Sequence, residues 1–268
     1  TPDLSCSEPL DVIGLFLYTG YFGFPTNYNL HEYILSFRKK SIIVVEDVTH
    51  SLFSNDLHME SDYYVGSIRK WTGLASGGFL ASRERISRKP GLPDYRLVDK
   101  RLQALTLKAQ FMATLEPALK PIYLKAFEES ERLLDMEAYP RSIDQTSLTL
   151  INDLDEEVLI TKRRSNFGVL LNGLAELTFL RPVFGYLPDH VCPMFCPIYS
   201  KKRDEVLQYL SGNGIYCPVH WPKPNWITLT THKDDASSIY DSIFSIPCDQ
   251  RYEHLDMERV IRALSDFG

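Results

Sequence analysis

The chain has 268 residues, enough for one large domain or two modest ones around a substantial buried core. With 44% hydrophobic and 24% charged residues and a net charge of −6, it reads as a globular protein without the basic footprint of a nucleic-acid binder. No apolar run approaches the ~20 residues a membrane-spanning helix needs, and no secretory leader pattern is visible.

Cysteine usage points the same way. Cys6, Cys192, Cys196, Cys217 and Cys248 are odd in number and scattered, which favours reduced thiols and a cytoplasmic location over a disulfide framework. Cys192 and Cys196 are each followed by proline, and no histidine pair completes a zinc set, so buried small side chains are expected and no metal. The chain starts at Thr1 and not at Met, which leaves open a processed product or part of something longer.

In chain order, the first ninety residues alternate strand and helix. Asp11 to Tyr18 reads as an apolar strand, and Asn29 to Lys39 as a helix with Asn29 as N-cap and Leu30, Tyr33, Ile34 and Phe37 at helical spacing. Ser41 to Val45 is a continuous apolar, β-branched run, the mark of a strand buried on both faces. Two short strands are expected at Tyr63 to Ile68 and Gly78 to Ala81. Strand, helix, strand implies a parallel pair, and open α/β sheets collect ligands beyond the carboxyl ends of such strands. Asp47 lies at such an end.

From Arg96 to Met136 the pattern is helical, with Leu102, Leu105, Ala109 and Met112 on one face and a break near Pro117 and Pro121. A further helix is expected within Asp153 to Leu180. The last ninety residues read as an α+β unit. A strand at Met194 to Tyr199 and a helix at Arg203 to Leu210 come first. A Gly212-Asn213-Gly214 stop and a strand at Ile215 to Val219 follow, and Asp256 caps a final helix.

The chemistry-bearing pair is Asp47, at a strand tip in Glu46-Asp47-Val48-Thr49-His50, and Lys70, in Gly66-Ser67-Ile68-Arg69-Lys70-Trp71. A strand-tip carboxylate can be a pyridinium partner, a metal ligand or a cap on the next turn. His50 can lie over a cofactor ring or fill a core site. Lys70 lies between a strand and a glycine-rich turn, which suggests a buried amine that loses its charge readily and can act as a nucleophile. A lysine that binds pyridoxal phosphate (PLP) as a Schiff base needs a carboxylate for the ring nitrogen and donors for the phosphate. Ser67, three residues before Lys70, is a candidate donor.

These segments, in this order, resemble the DegT-like family of PLP-dependent sugar aminotransferases of the fold-type I superfamily. Tyr21-Phe22-Gly23-Phe24-Pro25 resembles a segment after an early strand. Glu46 to His50 resembles a Glu-Asp-Ala-Ala-His signature, and Gly66 to Trp71 with Gly77-Gly78-Phe79-Leu80 resembles the Schiff-base lysine loop and the strand after it. Arg164-Ser165-Asn166-Phe167, Gly214 to Pro222 and Ser245-Ile246-Pro247 resemble small-domain segments.

The resemblance implies an α/β fold of fold-type I. Residues 1–110 would form part of the PLP-binding domain with a mostly parallel sheet, and residues 111–268 a helical connection and a smaller α+β domain. It implies Lys70 as the catalytic Schiff-base lysine and Asp47, His50 and Ser67 as further cofactor contacts. Arg69 would reach the phosphate or pair with an acidic neighbour, and His220 would approach the substrate. It implies a homodimer that aminates a keto-sugar, nucleotide-linked, with glutamate as donor. In that family roughly a hundred residues precede the segment where this chain starts, and they carry a phosphate-binding turn and a ring-stacking aromatic. A non-catalytic or truncated relative that keeps the fold for binding or assembly is the alternative.

Overall fold

The computed structural model describes residues 13–27, 30–55, 60–136, 139–221 and 239–268. They cluster into two compact units. The first comprises Thr1–Thr19, Asn27–Leu52 and His58–Leu154, and the second Gly20–Thr26, Phe53–Leu57 and Asp155–Gly268.

The first unit is built on a four-stranded sheet in the order β1 (Leu15–Thr19), β2 (Ile43–Asp47), β3 (Tyr63–Ser67), β4 (Gly78–Ser82). β1–β2 and β2–β3 are parallel and β3–β4 is antiparallel. The expected parallel pair is therefore present, joined through α1 (His31–Lys39). Asn29, the expected cap of α1, lies outside the described residues. Phe16, Tyr18 and Val44 point to one side and pack with Leu30, Ile34 and Phe37 of the α1 region. Because side chains alternate along a strand, Leu15, Leu17 and Ile43 point to the other side, where they stay exposed along with Leu80. The expectation that the Ser41–Val45 run is buried on both faces is thus met only in part: Val45 is buried on that side, but Ile43 is not. Its β-branched residues encode strand propensity, whereas burial depends on what covers each face, and Ile43 retains 43% of its surface.

Beyond β4, α2 (Tyr95–Thr114) and α3 (Leu119–Asp135) form a helical hairpin. α2 ends at Leu115, which adopts the left-handed conformation at φ 55°, and Pro121 sits in the first turn of α3, where a missing N–H costs nothing. The buried stripe of α2 is Val98, Arg101 and Ala104, while Ala109 and Met112 are exposed, contrary to the expected face. An ion pair rotates the stripe: Arg101 is buried because Glu131 of α3 holds its guanidinium. Next comes α4 (Gln145–Asn152), a helix the sequence reading does not contain, capped by Asp144, which accepts from the Ser147 amide at 2.9 Å. The hairpin and α4 cluster with the sheet of the first unit.

The second unit packs α5 (Glu156–Leu174), α6 (Arg203–Gly212) and α7 (His254–Phe267) with an antiparallel sheet in the order β5 (Arg181–Pro182), β6 (Cys196–Tyr199), β7 (Ile243–Ile246). Phe167, Leu170, Ile198, Phe244 and Leu264 are fully buried in its core. Gly214 takes the expected left-handed conformation at φ 73°. Ile215 to Val219 carries no strand assignment, although the Pro218 carbonyl accepts the Ser245 amide at 3.0 Å. The N-cap of α7 is Glu253; Asp256 is the third helical residue and closes a capping box by accepting the Glu253 amide at 2.9 Å, a reciprocal arrangement instead of the single cap expected. No helix among the described residues is long and apolar enough to cross a membrane.

Candidate active site

The candidate site forms at the carboxyl edge of the first unit's sheet. Asp47 is the last residue of β2 and pairs in register with Thr19 and Val65. In-register neighbours share a face, so Asp47, Val65 and, two residues on, Ser67 point to the same side of the sheet. Ser67 pairs with Gly78, which presents no side chain there.

The Asp47 carboxylate uses Oδ1 to accept the Thr49 amide at 2.9 Å, closing the turn that follows the strand. Among the described residues its Oδ2 accepts no hydrogen bond. The capping role and availability for a ligand are therefore compatible, one oxygen serving each. The turn is tied to the neighbouring strand by the Val48 amide, which donates to the Val65 carbonyl at 2.8 Å.

Lys70 ends a short 3-10 turn, Ile68–Lys70, that follows β3 directly. Its side chain is exposed and not, as expected from the sequence, buried. The residue that sinks into the fold from this turn is its neighbour Trp71, 2% exposed, whose Nε1–H donates to the Thr49 carbonyl at 2.6 Å. With the anchor one residue later, Lys70 is carried to the open side. Arg69 pairs with Glu131 of α3 at 3.9 Å, the second of its two expected fates. Beyond the turn, the Ser76 hydroxyl donates to Asp144 at 2.5 Å and the Ser76 amide to the Ser147 hydroxyl at 3.2 Å, so α4 braces the loop leading to β4.

His50 links the two halves electrostatically. Burial pushes its imidazole below the ordinary histidine pKa, the Asp47 carboxylate acts to raise it, and the Lys70 charge lowers it further. Asp47, His50 and Lys70 therefore share one field at the sheet edge. Ser67 completes the set. Its Oγ is buried and makes no hydrogen bond, a cost that a ligand oxygen would relieve. A strand-tip carboxylate, an exposed lysine and an unsatisfied hydroxyl thus lie along one edge of the sheet.

His220 belongs to the second unit. Its ring lies against Phe195 at 4.4 Å, Trp221 at 5.4 Å and Phe22 at 5.8 Å between centroids. The nearby Phe22-Gly23 turn has positive φ at both residues, 61° and 88°, and a Cβ on Gly23 would come within 2.1 Å of the Cys192 carbonyl oxygen. Only glycine fits there. Asn166 of the Arg164–Phe167 segment donates to the carbonyls of Asp249 at 3.2 Å and Tyr252 at 2.9 Å, which makes it a staple of the small unit's core. Thr49 and Trp71 escaped the sequence reading. The available signal was a threonine standing where the Glu-Asp-Ala-Ala-His pattern has alanine.

No family model matches the chain, and no curated protein matches it. Solved structures do. The aminotransferase TlmJ from Streptoalloteichus hindustanus superposes with a TM-score of 0.61 at 17% identity, over 94% of this chain and 65% of its own. PseC of Helicobacter pylori, an aminotransferase involved in the biosynthesis of pseudoaminic acid, gives 0.60 at 15% identity, over 94% and 66%. The Streptococcus pneumoniae protein Spr1654 in its PLP-form gives 0.62 at 16% identity, over 96% and 69%. The chain thus spans about two thirds of the length of the proteins it resembles. At these identities the likeness establishes architecture alone: the chain shares the α/β fold of these solved structures.

Proposed function

We propose that the chain is the catalytic lysine-bearing part of a PLP-dependent aminotransferase that transfers an amino group to a keto-sugar, nucleotide-linked, with glutamate as donor. The observation that carries this reading is the gathering of Asp47, His50, Ser67 and Lys70 at one sheet edge, with the Ser67 hydroxyl buried and unsatisfied. The fold shared with TlmJ, PseC and Spr1654 supports the choice of cofactor and of substrate class.

When bound, PLP supplies an aldehyde for an amine to condense with and an electron-withdrawing pyridinium ring. Each residue has a definite task in this reading. Lys70 Nζ would hold the cofactor through its aldehyde carbon and would carry the proton between cofactor C4′ and the amine-bearing carbon of the substrate. Asp47 would use its uncommitted oxygen to hold the proton on the ring nitrogen. Ser67 would donate its hydroxyl to the phosphate, and His50, whose pKa burial lowers, would lie near the ring. His220 would contact the sugar, and two copies of the protein would assemble as a homodimer.

The test is spectroscopic. On titration with PLP the protein should develop a visible absorbance band that Lys70→Ala abolishes, while Asp47→Ala should retain the band and lose turnover. Absence of the band from the wild-type protein at saturating PLP refutes the reading and favours a non-catalytic relative that keeps the fold for binding. Wild-type turnover in Asp47→Ala would leave that residue only its capping role.

A further inference from the structure

We propose that Thr49 is a positioning residue, a single clamp that holds the Asp47 carboxylate and both ends of the Lys70 turn in one geometry. The proposal rests on the PLP reading for its functional consequence but not for its geometry.

Three hydrogen bonds converge on this residue, each from a different group. Its amide donates to Asp47 Oδ1 at 2.9 Å. Its hydroxyl accepts the Ser67 amide at 3.1 Å, and its carbonyl accepts the Trp71 indole N–H at 2.6 Å. Ser67 and Trp71 flank the Ile68–Lys70 turn on either side. The lysine turn is therefore suspended from Thr49 at both ends, and the same peptide fixes the carboxylate.

The side-chain bond has a specific topological role. The parallel β2–β3 ladder is in register up to Asp47 and Val65, and the Val48 amide makes the next backbone link, to the Val65 carbonyl. Past that point β2 turns away, and the Ser67 amide would lose its strand partner. The Thr49 hydroxyl replaces the missing carbonyl and extends the ladder by one rung. That rung orients Ser67, whose own hydroxyl is the buried, unsatisfied atom at the site. An alanine at position 49, as in the signature this segment resembles, would still provide the amide and carbonyl contacts but not this rung. In this chain the lysine turn is thus tied to the strand tip by a link that the signature residues themselves do not supply.

The test compares Thr49→Val, which keeps the branched shape and removes the hydroxyl, with Thr49→Ser, which keeps the hydroxyl. In the cofactor-free protein, Thr49→Val should speed hydrogen exchange at the Ser67 amide by about fivefold, the equilibrium factor for one typical hydrogen bond, without changing exchange at Val44 or Val45 inside β2. Thr49→Ser should restore wild-type exchange. With PLP added, Thr49→Val should weaken cofactor binding several-fold and Thr49→Ser should not. Unchanged Ser67 exchange in Thr49→Val, or failure of Thr49→Ser to restore it, overturns the clamp. So does wild-type PLP affinity in a Thr49→Val protein whose Ser67 amide is freed. If the wild-type protein itself gives no PLP band, the functional reading fails while the exchange data still decide whether Thr49 holds the turn.

Discussion

Replacing Trp71 by phenylalanine separates anchoring of the lysine turn from general stability. The substitution removes the indole N–H that donates to the Thr49 carbonyl at 2.6 Å, a loss of about 1 kcal/mol for one net hydrogen bond. It also shrinks a side chain that is only 2% exposed, which adds about 1–2 kcal/mol for lost contacts and residual void. The sum, about 2–3 kcal/mol, should lower the urea midpoint of the first unit by about 1 M at a slope of ~1–3 kcal/mol/M. Tyr18→Phe is the matched control. It keeps the ring but deletes a hydroxyl that donates to buried Glu46 at 2.8 Å and meets Ser61 Oγ at 3.1 Å, at a cost of about 1–3 kcal/mol. Tyr18 pairs in register with Glu46, on the sheet face opposite Asp47. Both variants should therefore lose comparable stability by circular dichroism, but only Trp71→Phe should weaken the PLP absorbance band. Equal weakening in the two would mean that the loss travels through overall stability. Wild-type affinity in Trp71→Phe would mean that the indole does not position Lys70.

Two further outcomes follow from burial of titratable groups. The His50 pKa lies below 6.5 in the folded chain, so between the two values the unfolded chain binds a proton that the folded one does not. Stability should fall as pH drops below 6.5 toward the folded value, and His50→Gln should flatten that slope in urea titrations; an unchanged slope would remove His50 as its source. Burial also pushes the Cys192, Cys196 and Cys217 thiols up to about 12 and Cys248 well above its ordinary value. Cys192, Cys196 and Cys248, all buried, should not be alkylated in the native protein at pH 8 and should be alkylated in denaturant, as read by mass spectrometry; native labelling at any of these three would contradict its burial.

The order of the first unit's elements was legible because it rests on local signals. A β-branched run, a helical repeat of apolar residues and a carboxylate where the run stops are enough to place Asp47 at a parallel strand end. What remained hidden depends on partners distant in sequence. The buried stripe of α2 turns on an Arg101–Glu131 pair thirty residues apart, and hydrophobic spacing alone selects Leu105 and Met112 instead. α4 owes its start to Asp144, which serves the Ser147 amide and the distant Ser76 hydroxyl at once. The exposure of Lys70 follows from the indole bond of the next residue, which no spacing rule contains. Thr49 is the clearest case. Its three contacts reach Asp47, Ser67 and Trp71, and a linear reading meets only a threonine in a turn.

The segments that carry the resemblance do different physical work, and the difference lies in whether their polar atoms are used up. In the second unit the Asn166 amide is spent on loop carbonyls, and the Arg164 guanidinium donates to the carbonyls of Pro188 at 2.7 Å and Val191 at 2.5 Å. Those side chains hold architecture and have little left to offer a ligand. In the first unit, the corresponding segments leave Asp47 Oδ2 and Ser67 Oγ without hydrogen bonds among the described residues. An unsatisfied hydroxyl alone does not make a site, because Ser245 Oγ on β7 is also buried without a partner, between core residues Phe244 and Ile246. Ser67 differs in its surroundings. It shares a sheet face with a carboxylate, stands opposite a glycine and leads directly into a turn that ends on an exposed lysine. An unsatisfied atom suggests a binding site only where other polar groups stand beside it, and at the carboxyl edge of β2 and β3 Ser67 Oγ has a carboxylate and an exposed lysine as neighbours, which is what the proposed cofactor role rests on.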